Sequence, residues 1–210
     1  MLKILIADDH AIVRQGLKQI VTETRDMIVA GEASNGQELL DKIKENDYDV
    51  VVLDITMPGR NGMDVLRQLR SERPGLSVLM LIIHPEEQYA LRALRAGASG
   101  YLTKESAPDE LVVAIRKVSR GGKYISSSLA EKLAFELEIG REQAPHETLS
   151  DREYRVMCMI ASGKTVMAIA QELMLSEKTI STYRSRILEK MSMKNNAELT
   201  YYAIKNQLVD

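Results

Sequence analysis

Val50-Val51-Val52-Leu53-Asp54-Ile55-Thr56-Met57-Pro58-Gly59 begins as an unbroken apolar run and ends in an acid and a turn. A second run, Ile4-Leu5-Ile6-Ala7, ends in Asp8-Asp9. Apolar runs of this length, without alternation, suit strands buried on both faces of a parallel sheet. Working outward, the β-rich stretches fall at residues 3–7, 27–33, 49–54, 76–83 and 98–103. Amphipathic stretches separate them at 11–23, 36–45, 62–72 and 86–96, and a last one follows at 108–120. Five strand–helix units predict an α/β doubly wound, five-stranded parallel sheet over residues 1–120, covered by helices on both faces.

Such sheets bind ligands outside the carboxyl ends of the strands, where the strand order reverses. With the common order 2-1-3-4-5, the first and third strands are neighbours. Asp8, Asp9 and Asp54 then converge, and Lys104, just past the fifth strand, reaches the same edge. That density of carboxylates is costly unless a cation or a reaction uses it. It suits a hard dication with oxygen ligands, Mg²⁺ foremost. A carboxylate can also act as a nucleophile toward phosphorus, with the metal and a lysine offsetting the charge of the transferring group.

The rest of the chain is organised differently. Gly121-Gly122 closes the first region. Ser128-Leu129-Ala130-Glu131 reads as a capping box opening a short helix with a stripe of Leu129, Leu133 and Leu137. Residues 140–148 read as a tether, so 121–148 is expected to be a linker carrying that helix. A small all-α domain is expected over 149–210. Ser150 and Glu153 form a capping box, with Leu149 and Tyr154 placed as its staple. Helices follow near 165–173, 177–191 and 197–207, with Ser176 and Asn195 as N-caps of the last two. Gly163-Lys164-Thr165 imitates the end of a P-loop, but Cys158 stands where the first glycine belongs and no strand precedes it. It reads as a turn.

Composition sets outer limits. The chain has 210 residues, 45% hydrophobic and 28% charged, with a net charge of −2. That balance gives no global pull toward nucleic acid or anionic lipid. No apolar stretch approaches the ~18 residues of a membrane helix. A single cysteine, Cys158, forbids an internal disulfide framework, and Asp8-Asp9 interrupts any signal-peptide core. The expectation is a cytoplasmic protein without membrane attachment.

Charge is instead local. Residues 178–194 hold Lys178, Arg184, Arg186, Lys190 and Lys194 against Glu189. At 100° per residue, Ile180, Tyr183, Ile187 and Met191 share one helix face. The opposite face carries Lys178, Thr182, Ser185 and Glu189, flanked by Ser181 and Arg186. Small hydroxyls let a helix approach base edges while cations meet phosphates. With the preceding helix and a short turn, Met174-Leu175-Ser176, this is the layout of a helix-turn-helix for double-stranded DNA.

Two resemblances follow from these residues. Asp8-Asp9, Asp54 with Met57-Pro58-Gly59, and Lys104 at the end of Ala96-Gly-Ala-Ser-Gly-Tyr-Leu-Thr-Lys104 resemble the receiver domain of two-component response regulators. The resemblance implies that Asp54 accepts a phosphoryl group from a sensor histidine kinase. It further implies that Asp8 and Asp9 bind Mg²⁺ beside Asp54, that Lys104 contacts the phosphoryl group, and that Tyr101 is the aromatic switch residue. Leu149-Ser-Asp-Arg-Glu153, Ile160-Ala-Ser-Gly-Lys-Thr165, Ile169-Ala-Gln-Glu-Leu173 and Leu175-Ser-Glu-Lys-Thr179 resemble the LuxR-type DNA-binding domain. Together they make the architecture of the NarL/FixJ family. By that resemblance Ser181, Thr182 and Ser185 face bases, and Lys178, Thr179, Arg186 and Lys190 contact the DNA backbone. The last helix pairs subunits of a DNA-bound homodimer.

The chain departs from the family at two places. Val166 and Met167 stand where the scaffold helix usually begins with polar residues. More consequentially, the family carries Ser or Thr at the end of the fourth strand, and here that position is Ile82. Thr103 and His84 are near in sequence, but neither aligns with it. Ile82 is either a better-packed strand residue with switching done another way, or the mark of a competent site weakly coupled to its output. Three functions therefore compete: a phosphorylation-controlled, non-enzymatic transcription regulator, a constitutive DNA-binding protein whose receiver is a dimerisation scaffold, and an aspartate-nucleophile phosphatase. The phosphatase would want a second acid two residues after Asp54, where this chain has Thr56.

Overall fold

The computed structural model describes residues 1–82, 87–126, 130–131, 144–206 and 208–209, with the side chains of 87 and 88 outside the description. The chain forms two compact units, Met1–Ala134 and Phe135–Asp210. In the first unit, β1 (Leu2–Ala7), β2 (Met27–Ala33), β3 (Val50–Asp54), β4 (Ser77–Ile82) and β5 (Gly100–Thr103) make one sheet of order β2-β1-β3-β4-β5. All neighbours are parallel. The helices α1 (Ala11–Thr22), α2 (Gly36–Glu45), α3 (Gly62–Glu72), α4 (Glu87–Arg95) and α5 (Ala107–Ser119) alternate with the strands. The expected α/β doubly wound sheet is therefore the fold.

The period of two along each strand divides the core into two layers. Leu5, Val51, Leu53, Val78, Met80 and Ile82 pack on one side with residues of α2, α3 and α4. Ile4, Ile6, Val50, Val52, Leu79 and Leu81 pack on the other with α1 and α5. β3 is the middle strand, paired with β1 through Ile4–Val50 to Ala7–Leu53 and with β4 through Val50–Ser77 to Asp54–Leu81. That register brings Asp8 and Asp54 to adjacent strand ends.

Local signals set the helix starts. Asn35 and Asn61 cap α2 and α3 by accepting from the backbone of Glu38 and Met63. Expected boundaries shift by a residue or two, as fraying ends do. The expected helix opening at Ser128, with Leu129, Leu133 and Leu137, lies outside the described residues apart from Ala130 and Glu131.

The second unit is helical: a 3₁₀ turn at Pro145–Thr148, then α6 (Asp151–Ala161), α7 (Val166–Glu172), α8 (Glu177–Lys190) and α9 (Asn196–Lys205). Ser150 and Glu153 make the full capping box. Thr165, Ser176 and Asn195 cap α7, α8 and α9. Gly163 has φ of 81°, and Thr165 serves as a cap, so Gly163-Lys164-Thr165 is a helix-to-helix turn. The expected tether is corrected at its end. His146 is buried and its Nδ1 lies 2.8 Å from Tyr202 Oη, so residues 145–148 belong to the folded helical unit. No helix among the described residues is long and apolar enough to cross a membrane.

Candidate functional site

At the carboxyl edge of the sheet, Asp8 and Asp54 are both fully buried, and Asp9 is half-buried. Ligand atoms of Asp8, Asp9, His10 and Asp54 all lie within 4.8 Å of one another. Backbone contacts put them there. The Asp8 N–H donates to Ala33 at 3.1 Å, the Ile55 N–H to Leu81 at 3.1 Å, and the Lys104 N–H to Ile82 at 2.7 Å. Each loop thus leaves the sheet still tied to the neighbouring strand. Arg14 on α1 donates to the Asp8 carbonyl at 2.7 Å and holds the turn after β1.

Lys104 reaches across the strand ends. Its Nζ is 2.7 Å from Asp8 Oδ2 and 3.1 Å from Asp54 Oδ2. These are ion pairs by distance, and among the described residues Asp8 Oδ2, Asp9 Oδ1 and Lys104 Nζ are buried atoms outside the hydrogen-bond network. Burial raises the Asp54 pKa; Lys104 opposes the shift and Asp8 adds to it. For Lys104, burial pulls downward, but contact with Asp8 and the charges of Asp54 and Asp8 outweigh it, and its pKa rises. The pocket holds more negative charge than its one lysine balances. Its donor set, carboxylates with buried oxygens outside that network, fits a divalent cation such as Mg²⁺.

Sequence reasoning overlooked four contributors. His10 Nδ1 lies 2.8 Å from Asp9 Oδ1 and 3.3 Å from Asp8 Oδ1. Its place directly after two acids was the available signal. Arg14 gave none, because its target is a backbone carbonyl. Thr56 Oγ1 donates to both Asp54 oxygens, at 3.2 and 3.0 Å. Gly62, first residue of α3, packs so closely that a Cβ there would sit 2.3 Å from the Asp54 carbonyl oxygen and 2.8 Å from Ile55 Cα.

Ile82 and Tyr101 occupy the same apolar core, at 5% and 7% exposure. Burial and the charge of Glu110 raise the Tyr101 pKa. Thr103, the hydroxyl nearest Ile82 in the fifth strand, is turned elsewhere: its Oγ1 accepts the Ser106 N–H at 3.0 Å, at the start of α5. His84 lies outside the described residues.

In the helical unit, α8 buries Ile180, Ile187 and the following Met191, with Tyr183 half-buried. Lys178, Ser181, Thr182, Ser185, Arg186 and Lys190 are exposed, and Thr179 is half-buried. Thr182 Oγ1 donates to the Lys178 carbonyl at 2.9 Å and Ser185 Oγ to the Ser181 carbonyl at 3.1 Å. Lys190 differs from the others because its Nζ is 2.6 Å from buried Glu153 on α6. Burial alone would raise the Glu153 pKa, but Lys190 and Ser150 overcome it and hold the group below the usual carboxylate range.

Two family models divide the chain. Residues 4–116 match the response regulator receiver domain, and residues 147–203 match the bacterial regulatory proteins of the luxR family. This chain is a two-component response regulator of the NarL/FixJ family. Among its relatives, the response regulator UvrY of Escherichia coli (strain K12) is 37% identical over 209 residues, covering 99% of this chain and 96% of UvrY. The response regulator GacA of Pseudomonas aeruginosa is 36% identical over 211 residues, covering 100% and 99%. Among solved structures, RcsB of Salmonella typhimurium aligns with a TM-score of 0.63 and 26% identity, over 96% of this chain and 98% of RcsB. As a LuxR-family response regulator it is a DNA-binding protein, and its receiver and helix-turn-helix are the two matched regions.

Proposed function

We propose that this response regulator accepts a phosphoryl group on Asp54 from a sensor histidine kinase, and that the modification controls binding of double-stranded DNA by α8. The observation that carries the first half is Lys104 Nζ, held 2.7 Å from Asp8 and 3.1 Å from Asp54 in a buried pocket. A structural role would not require two fully buried acids at one strand edge. Asp54 Oδ attacks phosphorus, the bond to the donor nitrogen breaks, and its electron pair leaves with the imidazole of the kinase. Lys104 follows the negative charge from carboxylate to phosphoryl oxygen, and the closed pocket strengthens that attraction. Asp8, Asp9 and Asp54 would hold Mg²⁺, which supplies positive charge to the phosphoryl oxygens when bound. The chain's chemistry is acceptance and slow loss of one group, and Thr56 offers no second acid for phosphatase turnover.

For the output, Ser181, Thr182 and Ser185 would face bases, while Lys178, Thr179 and Arg186 meet phosphates. Lys190 can serve a phosphate only from its pair with Glu153. Solved structures include an RcsB–DNA complex and RcsB dimers bound to DNA, and by analogy this chain would bind as a homodimer in the cytoplasm. We take the receiver as 1–120 and the DNA-binding domain as 149–210, with the linker expected over 121–148 shortened by the 3₁₀ turn at 145–148, which packs with the helical unit.

A second reading, a constitutive DNA-binding protein with the receiver as dimerisation scaffold, is favoured by Ile82, whose buried side chain has no donor. Titration with a phosphoryl analogue, followed by DNA-binding measurement, separates the two. DNA affinity that rises with analogue occupancy supports phosphorylation control; affinity that is high and unmoved supports the scaffold. Weakened coupling at Ile82 has its own test: Ile82→Ser should increase phosphorylation-dependent dimerisation or DNA binding, and no change in either rejects it.

A further inference from the structure

We propose that Thr56 positions the phosphoryl group on Asp54, supplying from the loop after β3 the hydroxyl contact that Ile82 cannot supply from the end of β4. This rests on Asp54 being the phosphoacceptor. The argument begins with what surrounds the carboxylate. Among the described residues, two side chains bring donor groups to it: Lys104 Nζ, at 3.1 Å, and Thr56 Oγ1, at 3.2 and 3.0 Å from the two oxygens. Ile82, beside Leu81 that pairs with Asp54, is committed to the apolar core.

The loop holds Thr56 in this role. Ile55 and Met57, on either side of it, are buried at 3% and 2% exposure. The Ile55 N–H is fixed to Leu81, and the Ile55 carbonyl accepts from Gly62, both at 3.1 Å. Buried neighbours before and after leave Thr56 half-buried with its hydroxyl on the acid.

Phosphoryl transfer changes which atom is the best acceptor. In the resting carboxylate the negative charge is shared by both oxygens, and the hydroxyl straddles them. Once the Asp54 Oδ–P bond forms and the donor's bond to phosphorus breaks, one oxygen bridges carbon and phosphorus and the other is a neutral acyl carbonyl. Charge now resides on the non-bridging phosphoryl oxygens, and a hydroxyl–anion hydrogen bond is the stronger one. Thr56 therefore turns its donor from the carboxylate to the phosphoryl group. It transfers no proton. The phosphoryl contact is then reported into residues 55–61, whereas an end-of-β4 hydroxyl would report it into the loop after β4.

The test uses the full-length chain with Mg²⁺, beryllofluoride as phosphoryl probe read by fluorine NMR, and phosphoramidate as small phosphodonor. Thr56→Val keeps the shape and removes the donor; its beryllofluoride affinity should fall about tenfold, the worth of one hydrogen bond to a charged group. Thr56→Ser should stay near wild type. Ile82→Thr, β-branched like the residue it replaces, should recover most of the loss in the Thr56→Val background and add less to the wild type. Recovery from a different strand is something a merely structural role for Thr56 would not produce. Thr56→Val affinity within twofold of wild type, failure of Thr56→Ser, or no recovery by Ile82→Thr overturns the proposal. If the wild type takes neither beryllofluoride nor phosphate, or Asp54→Asn takes both, the Asp54 reading fails and this inference falls with it.

Discussion

The receiver gathers its chemistry inside, and the helical unit displays its own outside. Asp8 and Asp54 are fully buried with too little positive charge to balance them, whereas Lys178, Ser181, Thr182 and Ser185 on α8 face solvent. The first arrangement costs stability and is tolerated where reactivity needs it. The second costs almost nothing, because exposed polar side chains keep their water. In the helical unit, buried Glu153 is structural instead: it closes a capping box and holds Lys190. What separates buried Glu153 from buried Asp8 is satisfaction. Glu153 has three hydrogen-bond partners, Ser150 N–H, Ser150 Oγ and Lys190 Nζ, while Asp8 Oδ2 has none among the described residues.

Substitutions can break that comparison, beginning with the largest effect. Gly62→Ala drives a methyl into the Asp54 carbonyl, and backbone cannot yield as a side-chain tip can. It should cost about 3 kcal/mol or more in urea unfolding and abolish beryllofluoride uptake. Glu153→Ala removes a cap and strands Lys190; a loss of about 2 kcal/mol in the helical unit is expected by thermal melting. Asp54→Asn should act in the opposite direction. Because the folded chain holds the Asp54 proton more tightly than the unfolded chain, the ionised acid costs stability. That cost is absent below the ordinary carboxylate range and grows as pH rises through the raised folded value. Asp54→Asn should therefore stabilise the receiver by about 1 kcal/mol at neutral pH, with the gain fading as melts are repeated toward acid. A gain that persists at low pH would remove the claim that Asp54 is held against the fold's interest. The smallest effect is on α8, where Thr182→Ala with Ser185→Ala should change stability by under about 0.5 kcal/mol. DNA affinity measured on the same variant should fall for a preferred site more than for random sequence.

Much of this was legible in order of residues because the physics involved is local. The apolar runs before Asp8 and Asp54 announce strands buried on both faces, and strand order then forces the acids together. Caps at Asn195, Ser176 and Ser150 announce their helices within three residues. What stayed hidden depends on distance in space or on rotamer. Glu153 and Lys190 are 37 positions apart. His146 joins Tyr202 from 56 positions away, so the end of an apparent tether became part of a fold. Thr56 lies two residues from Asp54, yet only its side-chain torsion and the burial of Ile55 and Met57 put its hydroxyl on the acid.

The placement of β3 has a consequence in time as well as in space. It is bonded along both edges, to β1 and to β4, and every one of its five residues is buried. Amides in such a strand exchange with solvent only when the whole sheet opens, so residues 50–54 should be among the slowest to take up deuterium. Asp54 is therefore anchored on a fully buried strand held along both edges. Whatever travels outward from it must move through side chains and the loops that follow the strands, while the strand itself stays still.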